Sequence, residues 1–469
     1  MTSTSSQTKK RWRVRPSGPL RGRVRIPGDK SIGHRALLFG ALADGSSIVR
    51  GLSGGLDNAA TAEAMRQMGA RIELEGEPAT GVTARIDGVG LHGLRMPSGV
   101  IDCGNSGTTM RMLAGLLVAQ KFGTRLIGDP SLSGRPMRRI VDPLRARGGH
   151  IAGVKGAKEG EHYPPLSVAP LLEGELLSGI EYHSPIASAQ VKSALLLSGL
   201  WAEGPTAVAE PTLSRDHTER MMRALGVPLQ TMGPMVVLDP DEWEERGWQG
   251  FDWAVPGDLS GAAFVIAAGL LVPGSEIALE NVGTNPTRTG ILDALRAMRA
   301  PIAIMPRGDA AGMEPIAEIE VRHAPFSAAR VSGELLTRMI DEVPILSAIC
   351  ARARGASEIR DAEELRVKES DRLALTAAML RDVGIDCVEL RDGMTIHGTD
   401  AALRPARITS HGDHRIAMTG AVLGLIADGE TIVDDVACVD TSFPGFAALL
   451  RSLGADISEE VVPTGEPAA

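Results

Sequence analysis

The sequence predicts an α/β protein of two lobes, each made of three copies of one repeated unit, and three observations carry that expectation. The chain has 469 residues, more than one hydrophobic core ordinarily serves. A short pattern of helix end, glycine and strand start recurs six times at intervals of roughly 75 residues. A second, almost wholly apolar helical stretch also recurs six times, each time behind a polar or glycine-bearing start.

The first pattern reads MRQMGARI from Met65, LRARGGHI from Leu144, MRALGVPL from Met222, LRAMRAPI from Leu295, LRDVGIDC from Leu380 and LRSLGADI from Leu450. Each copy suits the last turn of a helix, a glycine C-cap and entry into a strand. The copy with Arg299 lacks the glycine. The repeated arginine falls in the last helical turn, where it complements the helix dipole, so its expected role is capping rather than catalysis. The apolar stretches cover 31–43, 106–119, 188–200, 259–271, 336–350 and 414–427. A helix apolar on nearly every face has to be buried.

Three units fall in residues 28–253 and three in 254–469, with the boundary expected near 253–256 after the charged DPDEWEERGWQG stretch. Residues 12–27 alternate like a strand and are expected to join the second lobe, which would make the connection between lobes double. Residues 1–11 carry no apolar signal region and are expected to be a disordered tail.

Composition narrows the function. With 43% apolar and 23% charged residues, the chain is an ordinary globular protein, while aromatic residues make up only 3%. A net charge of −9 argues against a nucleic-acid binder but leaves room for a local basic cleft. The four cysteines, Cys103, Cys350, Cys387 and Cys438, lie far apart without metal-ligand spacing, which suits a reducing compartment and neither a zinc site nor a disulfide framework. Cys103, beside a glycine-rich loop, is a candidate for reactivity. No apolar run is long enough to span a membrane. A cytoplasmic monomer without metal or cofactor is the expectation.

The polar starts of the apolar helices carry the chemistry. They read GDKSIGHR with Lys30, Ser31 and Arg35; DCGNSGTTMR with Gly107; SPIASAQVK with Ser188 and Gln190; and HGDHRIAM with Arg415. If the three helices of a lobe run parallel, their first turns converge toward the cleft between lobes, and their free N–H groups form an anion trap there. A cation in a helical first turn opposes the dipole, so Lys30, Arg35 and Arg415 suggest bound anions. Two further segments add acid–base groups. RVKESDRLALTAAML, expected as one helix over 366–380, would place Lys368 and Arg372 on one face with Glu369 between them. MIDEVPIL sets Asp341 and Glu342 against an apolar run, GRPMRR supplies Arg135, and SRDHTE supplies Arg215.

From Arg13 to Ile457 these segments resemble the 5-enolpyruvylshikimate-3-phosphate synthase family. The matching stretches include GDKSIGHRALL, GNSGTTMR, GDPSLSGRPM, SPIASAQVKSALLLSGL, LSRDHTERM, PGDLSGAAF, MIDEVPIL, LRVKESDRL, GDHRIAM and TSFPGF. The resemblance implies the two-lobed enolpyruvyl transferase fold with six βαβαββ-type units. It also implies a cofactor-free transfer of the enolpyruvyl group of phosphoenolpyruvate to the 5-hydroxyl of shikimate 3-phosphate. By the same resemblance, Lys30, Ser31, Arg35, Ser188, Gln190, Arg215, Asp341 and Lys368 bind shikimate 3-phosphate. Lys30, Gly107, Arg135, Gln190, Arg372 and Arg415 bind phosphoenolpyruvate. Asp341 is the base toward the 5-hydroxyl, and Glu369, assisted by Lys30, is the proton donor to the methylene carbon.

The sequence also departs from the commoner family pattern. Thr441-Ser442-Phe443-Pro444 lacks a lysine that many members have there, and Ala189 stands where many have a second serine. Arg215, VKESDRL and TSFP resemble the branch that includes glyphosate-tolerant enzymes, whereas Gly107 is the residue of sensitive ones. A sister family that transfers enolpyruvyl to UDP-N-acetylglucosamine carries a cysteine five residues before the Arg-Pro of its mobile loop. Here that position is Pro130. RNA 3′-phosphate cyclase shares repeated units but would call for a nucleic-acid footprint.

Overall fold

Each Arg-x-x-Gly segment ends a helix and opens a strand, and this local rule generates the architecture. The computed structural model describes residues 8–156, 158–243 and 246–463. Twelve helices matter for the site. They are α1 (Lys30–Ala41), α2 (Leu56–Gln67), α3 (Gly107–Leu117), α4 (Arg138–Ala146), α5 (Ala189–Gly199), α6 (His217–Ala224), α7 (Leu259–Leu271), α8 (Gly290–Ala297), α9 (Val343–Cys350), α10 (Arg372–Asp382), α11 (His414–Gly424) and α12 (Phe446–Ser452). The even-numbered helices carry the repeated arginine in their last turn.

The glycine of each repeat has a left-handed backbone: φ is +108° at Gly69, +98° at Gly148, +80° at Gly226, +91° at Gly384 and +106° at Gly454. Only there does the chain turn sharply enough to start the strand. The arginine then locks the turn by donating to the mouth of that strand. Arg66 Nε reaches Ile72 O at 2.8 Å, Arg145 Nε reaches Ile151 O at 2.6 Å, and Arg451 Nη1 reaches Ile457 O at 3.0 Å. In the fourth repeat Arg299 holds the same turn at φ +56°, although it has a Cβ. Left-handed backbone costs a non-glycine residue about 1 kcal/mol. Arg299→Gly is therefore expected to raise the urea midpoint by a corresponding amount, and an unchanged midpoint would show that the turn is not strained.

Among the described residues there are six sheets, each of four strands. In one of them, Ile101–Asp102 runs parallel to Thr124–Ile127, which pairs antiparallel with His162–Val168, and that strand pairs antiparallel with Ile151–Lys155. Three sheets borrow strands from far away in sequence, and in one of them Asp252–Ala254 runs parallel to Ser46–Leu52. Strand β1 (Thr8–Val14) lies between Thr431–Asp434 and Ile457–Pro463, and strand β2 (Arg21–Arg25) runs parallel to Glu276–Gly283. The expected tail therefore ends earlier than 1–11: residues 8–11 belong to β1, because a central position in the sheet satisfies both of its edges. Residues 1–7 lie outside the described residues.

By contacts the chain divides into two units. The flanking unit comprises Met1–Ile26, Gly257–Arg307 and Ile316–Ala469, and the inserted unit comprises Pro27–Pro256 and Gly308–Pro315. In the charged stretch before Gly257, where residues 244–245 lie outside the described set, two tryptophans are buried. Trp243 and Trp248 stack with centroids 6.0 Å apart, and Trp248 Nε1 donates to Phe39 O at 2.9 Å.

The odd-numbered helices form the core of each unit. In α7 every residue but Gly261 is buried. Helices α3 and α5 touch backbone to backbone, since a Cβ on Gly115 would lie 2.2 Å from Ala194 O. First turns meet first turns: Gln190 Nε2 of α5 donates to Thr108 Oγ1 of α3 at 2.9 Å, and Ser260 Oγ of α7 donates to Glu342 just ahead of α9. The helices of a unit therefore share one direction. Five starts are capped by a side chain, from Asp29, Ser106, Ser188, Asp258 and Asp413.

Two expected helices are shorter than the sequence suggested. The stretch 336–350 splits into the end of a one-turn helix, a 3₁₀ turn Ile340–Glu342, and α9. Pro344 in the first turn of α9 sets that start, since proline belongs at a helix beginning. Similarly, α10 starts at Arg372 because Asp371 caps it, accepting from Ala374 N at 3.0 Å. Lys368 and Glu369 consequently lie in the loop before the helix rather than on its face.

Candidate active site

In the inserted unit, the first turns of α1, α3 and α5 bring a cationic cluster together. Lys30 opens α1, and its Nζ donates to Asp57 Oδ2 at 2.8 Å. Arg35 is 2% exposed and fully engaged: Nε donates to Thr218 Oγ1 at 2.6 Å, Nη1 to Ser31 O at 2.8 Å and Nη2 to Ser193 Oγ at 2.7 Å. Burial lowers its pKa to about 10, against the opposing pull of Glu219 and Asp29. Its structural effect is to fix Ser31. Next to it, burial together with the Lys30 and Arg35 charges holds His34 well below the usual imidazole range, so it is neutral near pH 7. His34 Nδ1 lies 2.7 Å from Thr61 Oγ1, and Thr61 lies 2.7 Å from Thr109, which links α1 to α3.

The Gly-Asn-Ser-Gly turn supplies the next layer. Ser106 caps α3, so Gly107 is its first residue. Arg135 Nη2 donates to Asn105 Oδ1 at 2.7 Å, and Arg111 Nη1 donates to Gln190 Oε1 at 2.7 Å. A Cβ at Gly107 would sit 2.7 Å from Arg111 Nη1 and 3.1 Å from Arg135 Nη1. Glycine there leaves room for two guanidinium groups to approach the same turn, and a methyl group would make them shift. Ser188 caps α5, and Arg215 lies half-buried just before α6. Cys103 is buried, which pushes its thiol well above the usual range, so the reactivity considered for it is not supported.

The second cluster, in the flanking unit, is organised by one guanidinium. Arg372 is 1% exposed, and each of its nitrogens meets a carboxylate: Nε reaches Asp413 Oδ2 at 2.8 Å, Nη1 reaches Asp341 Oδ1 at 3.2 Å and Nη2 reaches Glu369 Oε2 at 2.6 Å. Burial works against its charge, but Asp413, Glu369 and Asp341 outweigh it and hold its pKa above the usual value. Lys368 Nζ lies 4.0 Å from Asp341 Oδ1. Arg415 Nη2 is 3.9 Å from Asp341 Oδ2, and its Nη1 is 3.9 Å from Glu342 Oε1. The loop bearing Glu369 is tied down by Ser370 Oγ, which donates to Asp413 Oδ2 at 2.9 Å.

Every residue expected at the site thus belongs to one of two clusters. Lys30, Ser31, Arg35, Gly107, Arg135, Ser188, Gln190 and Arg215 are in the inserted unit, and Asp341, Lys368, Glu369, Arg372 and Arg415 are in the flanking unit. Sequence reasoning missed Asp57, Asn105, Thr108, Arg111 and Asp413, the partners that hold these side chains. Lys30, Arg372 and Arg415 also have protein carboxylates beside them, so a bound anion is not the sole answer to the opposing helix dipole. Arg111 was findable, standing four residues after Gly107 on the same helix face; Asp57 had no sequence signal, being distant from Lys30. Among the described residues, no group of His, Cys, Asp and Glu has the geometry of a metal site, and no helix is long and apolar enough to cross a membrane.

Comparison with known proteins identifies the fold and the family. The enolpyruvyl transferase NikO from Streptomyces tendae superposes with a TM-score of 0.76 at 17% identity, covering 97% of this chain and 100% of that one. At that identity the likeness speaks for the fold, which is that of the enolpyruvyl transferases. The EPSP synthase from Acinetobacter baumannii is 41% identical with a TM-score of 0.82, covering 96% of this chain and all of that one. A relative from Citrifermentans bemidjiense named 3-phosphoshikimate 1-carboxyvinyltransferase is 46% identical over 444 residues, 94% of this chain and 99% of its own. One of the same name from Geobacter sulfurreducens is 48% identical over 435 residues, 93% of this chain and 97% of its own. The model of the family described as EPSP synthase (3-phosphoshikimate 1-carboxyvinyltransferase) matches residues 14–450, and the chain belongs to that family.

Proposed function

We propose that residues of both clusters bind the anionic substrates and that carboxylates of the cluster in the flanking unit, assisted by Lys30, perform the proton transfers. The enzyme transfers the enolpyruvyl group of phosphoenolpyruvate to the 5-hydroxyl of shikimate 3-phosphate and releases phosphate. The observation that carries the proton-transfer assignment is that Arg372 engages both candidate carboxylates, at 3.2 Å for Asp341 and 2.6 Å for Glu369. The inserted unit instead gathers Lys30, Arg111, Arg135 and Arg215 with helix N-termini and amide donors, which suits phosphate and carboxylate groups.

In this reading Asp341 takes the proton of the 5-hydroxyl as its oxygen attacks C2 of phosphoenolpyruvate. Glu369, assisted by Lys30, gives a proton to C3, and the product of addition is a tetrahedral intermediate. Loss of a C3 proton and departure of phosphate restore the enol ether. Each proton transfer is the kind of step that a positioned carboxylate accelerates. Shikimate 3-phosphate is assigned to Lys30, Ser31, Arg35, Ser188, Gln190, Arg215, Asp341 and Lys368, and phosphoenolpyruvate to Lys30, Gly107, Arg135, Gln190, Arg372 and Arg415. The chain works as a monomer in the cytoplasm, in keeping with four cysteines that form no disulfide. The test is phosphate release: one phosphate per enolpyruvyl product with both substrates, and none with either alone. Release without shikimate 3-phosphate would overturn the assignment.

Gly107 provides a sharper check. In this family glyphosate occupies the phosphoenolpyruvate subsite and is the longer molecule. Gly107→Ala places a methyl group against Arg111 and Arg135, and overpacking of this kind costs roughly 1–3 kcal/mol. The wild type is expected to be inhibited at low glyphosate concentration, with the inhibition constant rising about 5–150-fold in the variant. The KM for phosphoenolpyruvate should rise less. Wild-type turnover in millimolar glyphosate would show that Gly107 is not the deciding residue.

A further inference from the structure

A buried lysine in α5 lies outside the mechanism just described. Lys192 is 1% exposed, and its Nζ donates to Glu210 Oε2 at 2.8 Å and pairs with Glu219 Oε1 at 2.8 Å. Burial opposes its charge, but the two glutamates prevail and raise its pKa, so it stays an ammonium. Such a group is expensive to bury, and an apolar trio of similar volume would hold the same helices at less cost. The arrangement therefore calls for a geometric reason.

Glu210 supplies one, because several donors converge on it. Ser188 N reaches its Oε1 at 2.8 Å, Ser214 N reaches its Oε2 at 3.2 Å, and Ser214 Oγ lies 2.7 Å from Oε1. Lys192 Nζ also reaches Ser214 O at 3.4 Å. One carboxylate thus clamps the residue that caps α5 and the residue immediately before Arg215. Lys192 neutralises that carboxylate and anchors it to Glu219 in the first turn of α6. We propose that Lys192, through Glu210, is a positioning residue for shikimate 3-phosphate, fixing Ser188 and Arg215 relative to each other. This rests on the assignment of Ser188 and Arg215 to that substrate. Lys192 itself touches no substrate in this account; it acts through the carboxylate it holds.

A double-mutant cycle tests the clamp and keeps its failure separate from failure of the site assignment. The variants are Ser188→Ala, Lys192→Met and the pair, with KM for each substrate and the thermal midpoint measured on the full chain. Lys192→Met is expected to raise KM for shikimate 3-phosphate about tenfold or more and KM for phosphoenolpyruvate less than about twofold. In its background Ser188→Ala should add little. Full additivity, or an equal rise for both substrates, overturns the clamp while leaving the assignment of Ser188 intact. If Ser188→Ala alone leaves KM for shikimate 3-phosphate unchanged, the assignment itself falls, and the clamp with it. Should Lys192→Met fail to fold, the same cycle is run with Glu210→Gln. That variant keeps the shape but turns one oxygen into a donor facing the Ser188 or Ser214 donors, and the same outcomes apply.

Discussion

Glu369→Gln is expected to lower kcat by about 10²–10⁴-fold while leaving shikimate 3-phosphate binding intact. The substitution keeps an oxygen able to accept from Arg372 Nη2, which stands 2.6 Å from Glu369 Oε2, so the loop should hold its place. What it removes is the acidic proton for the methylene carbon. Turnover is read from phosphate release and binding of shikimate 3-phosphate from calorimetry. Near wild-type turnover would take Glu369 out of the chemistry. Asp341→Ala should lose activity on the same scale but also lose thermal stability. Asp341 is a partner of buried Arg372, at 3.2 Å, and that guanidinium would forfeit one of its three carboxylates.

Arg415→Ala should raise KM for phosphoenolpyruvate far more than KM for shikimate 3-phosphate. Removing one member of a desolvated, charged contact costs roughly 2–5 kcal/mol, because the group left behind stays buried without its partner. That corresponds to about 30-fold to several-thousand-fold in affinity. Arg415 is 7% exposed in the first turn of α11, and Asp413 Oδ1 accepts from its backbone N at 2.9 Å. The cap is made by the backbone, so it survives the substitution, and the loss is confined to the guanidinium. The measurement is KM for each substrate with the other saturating. A larger rise for shikimate 3-phosphate would exchange the two subsites.

The sequence exposed what repeats and what is local. Six copies of one pattern, five of them Arg-x-x-Gly, announced six helix ends, because a left-handed turn leaves few choices of residue; even the odd copy keeps its turn at Arg299. Helix starts such as those at Ser106 and Ser188 were legible because a polar residue stands immediately before an apolar run, where its side chain can cap the first turn. Segment starts set by a competing cap were not. Lys368 and Glu369 read as helical by spacing, but Asp371 captures Ala374 N and begins the helix after them. Partners distant in sequence were invisible as well. Asp57 under Lys30, the Lys192–Glu210–Glu219 group, and the polar hairpin tip whose Glu314 meets His217 at 2.7 Å are all made by folding. Nothing local in PRGDAAGME signals that Met313 and Glu314 are buried.

The position of β1 sets a timetable for synthesis. It leaves the ribosome long before either of its neighbours, Thr431–Asp434 and Ile457–Pro463, with Thr8 opposite Pro463. At ordinary translation speeds the strand must wait on the order of a minute for those neighbours to be made. Meanwhile it carries Trp12, which will be buried, and two open edges, the features that invite pairing with another nascent chain. Lys9, Lys10, Arg11 and Arg13 give it a dense positive charge that discourages such pairing between copies. The later-made segments carry the complement: Arg13 meets Glu430 and Glu460 at 2.6 Å, Lys10 meets Glu459 at 3.2 Å, and Arg11 meets Asp434 at 3.1 Å. The same charges that keep the waiting strand apart from its twins thus identify the two acidic segments it is meant to receive.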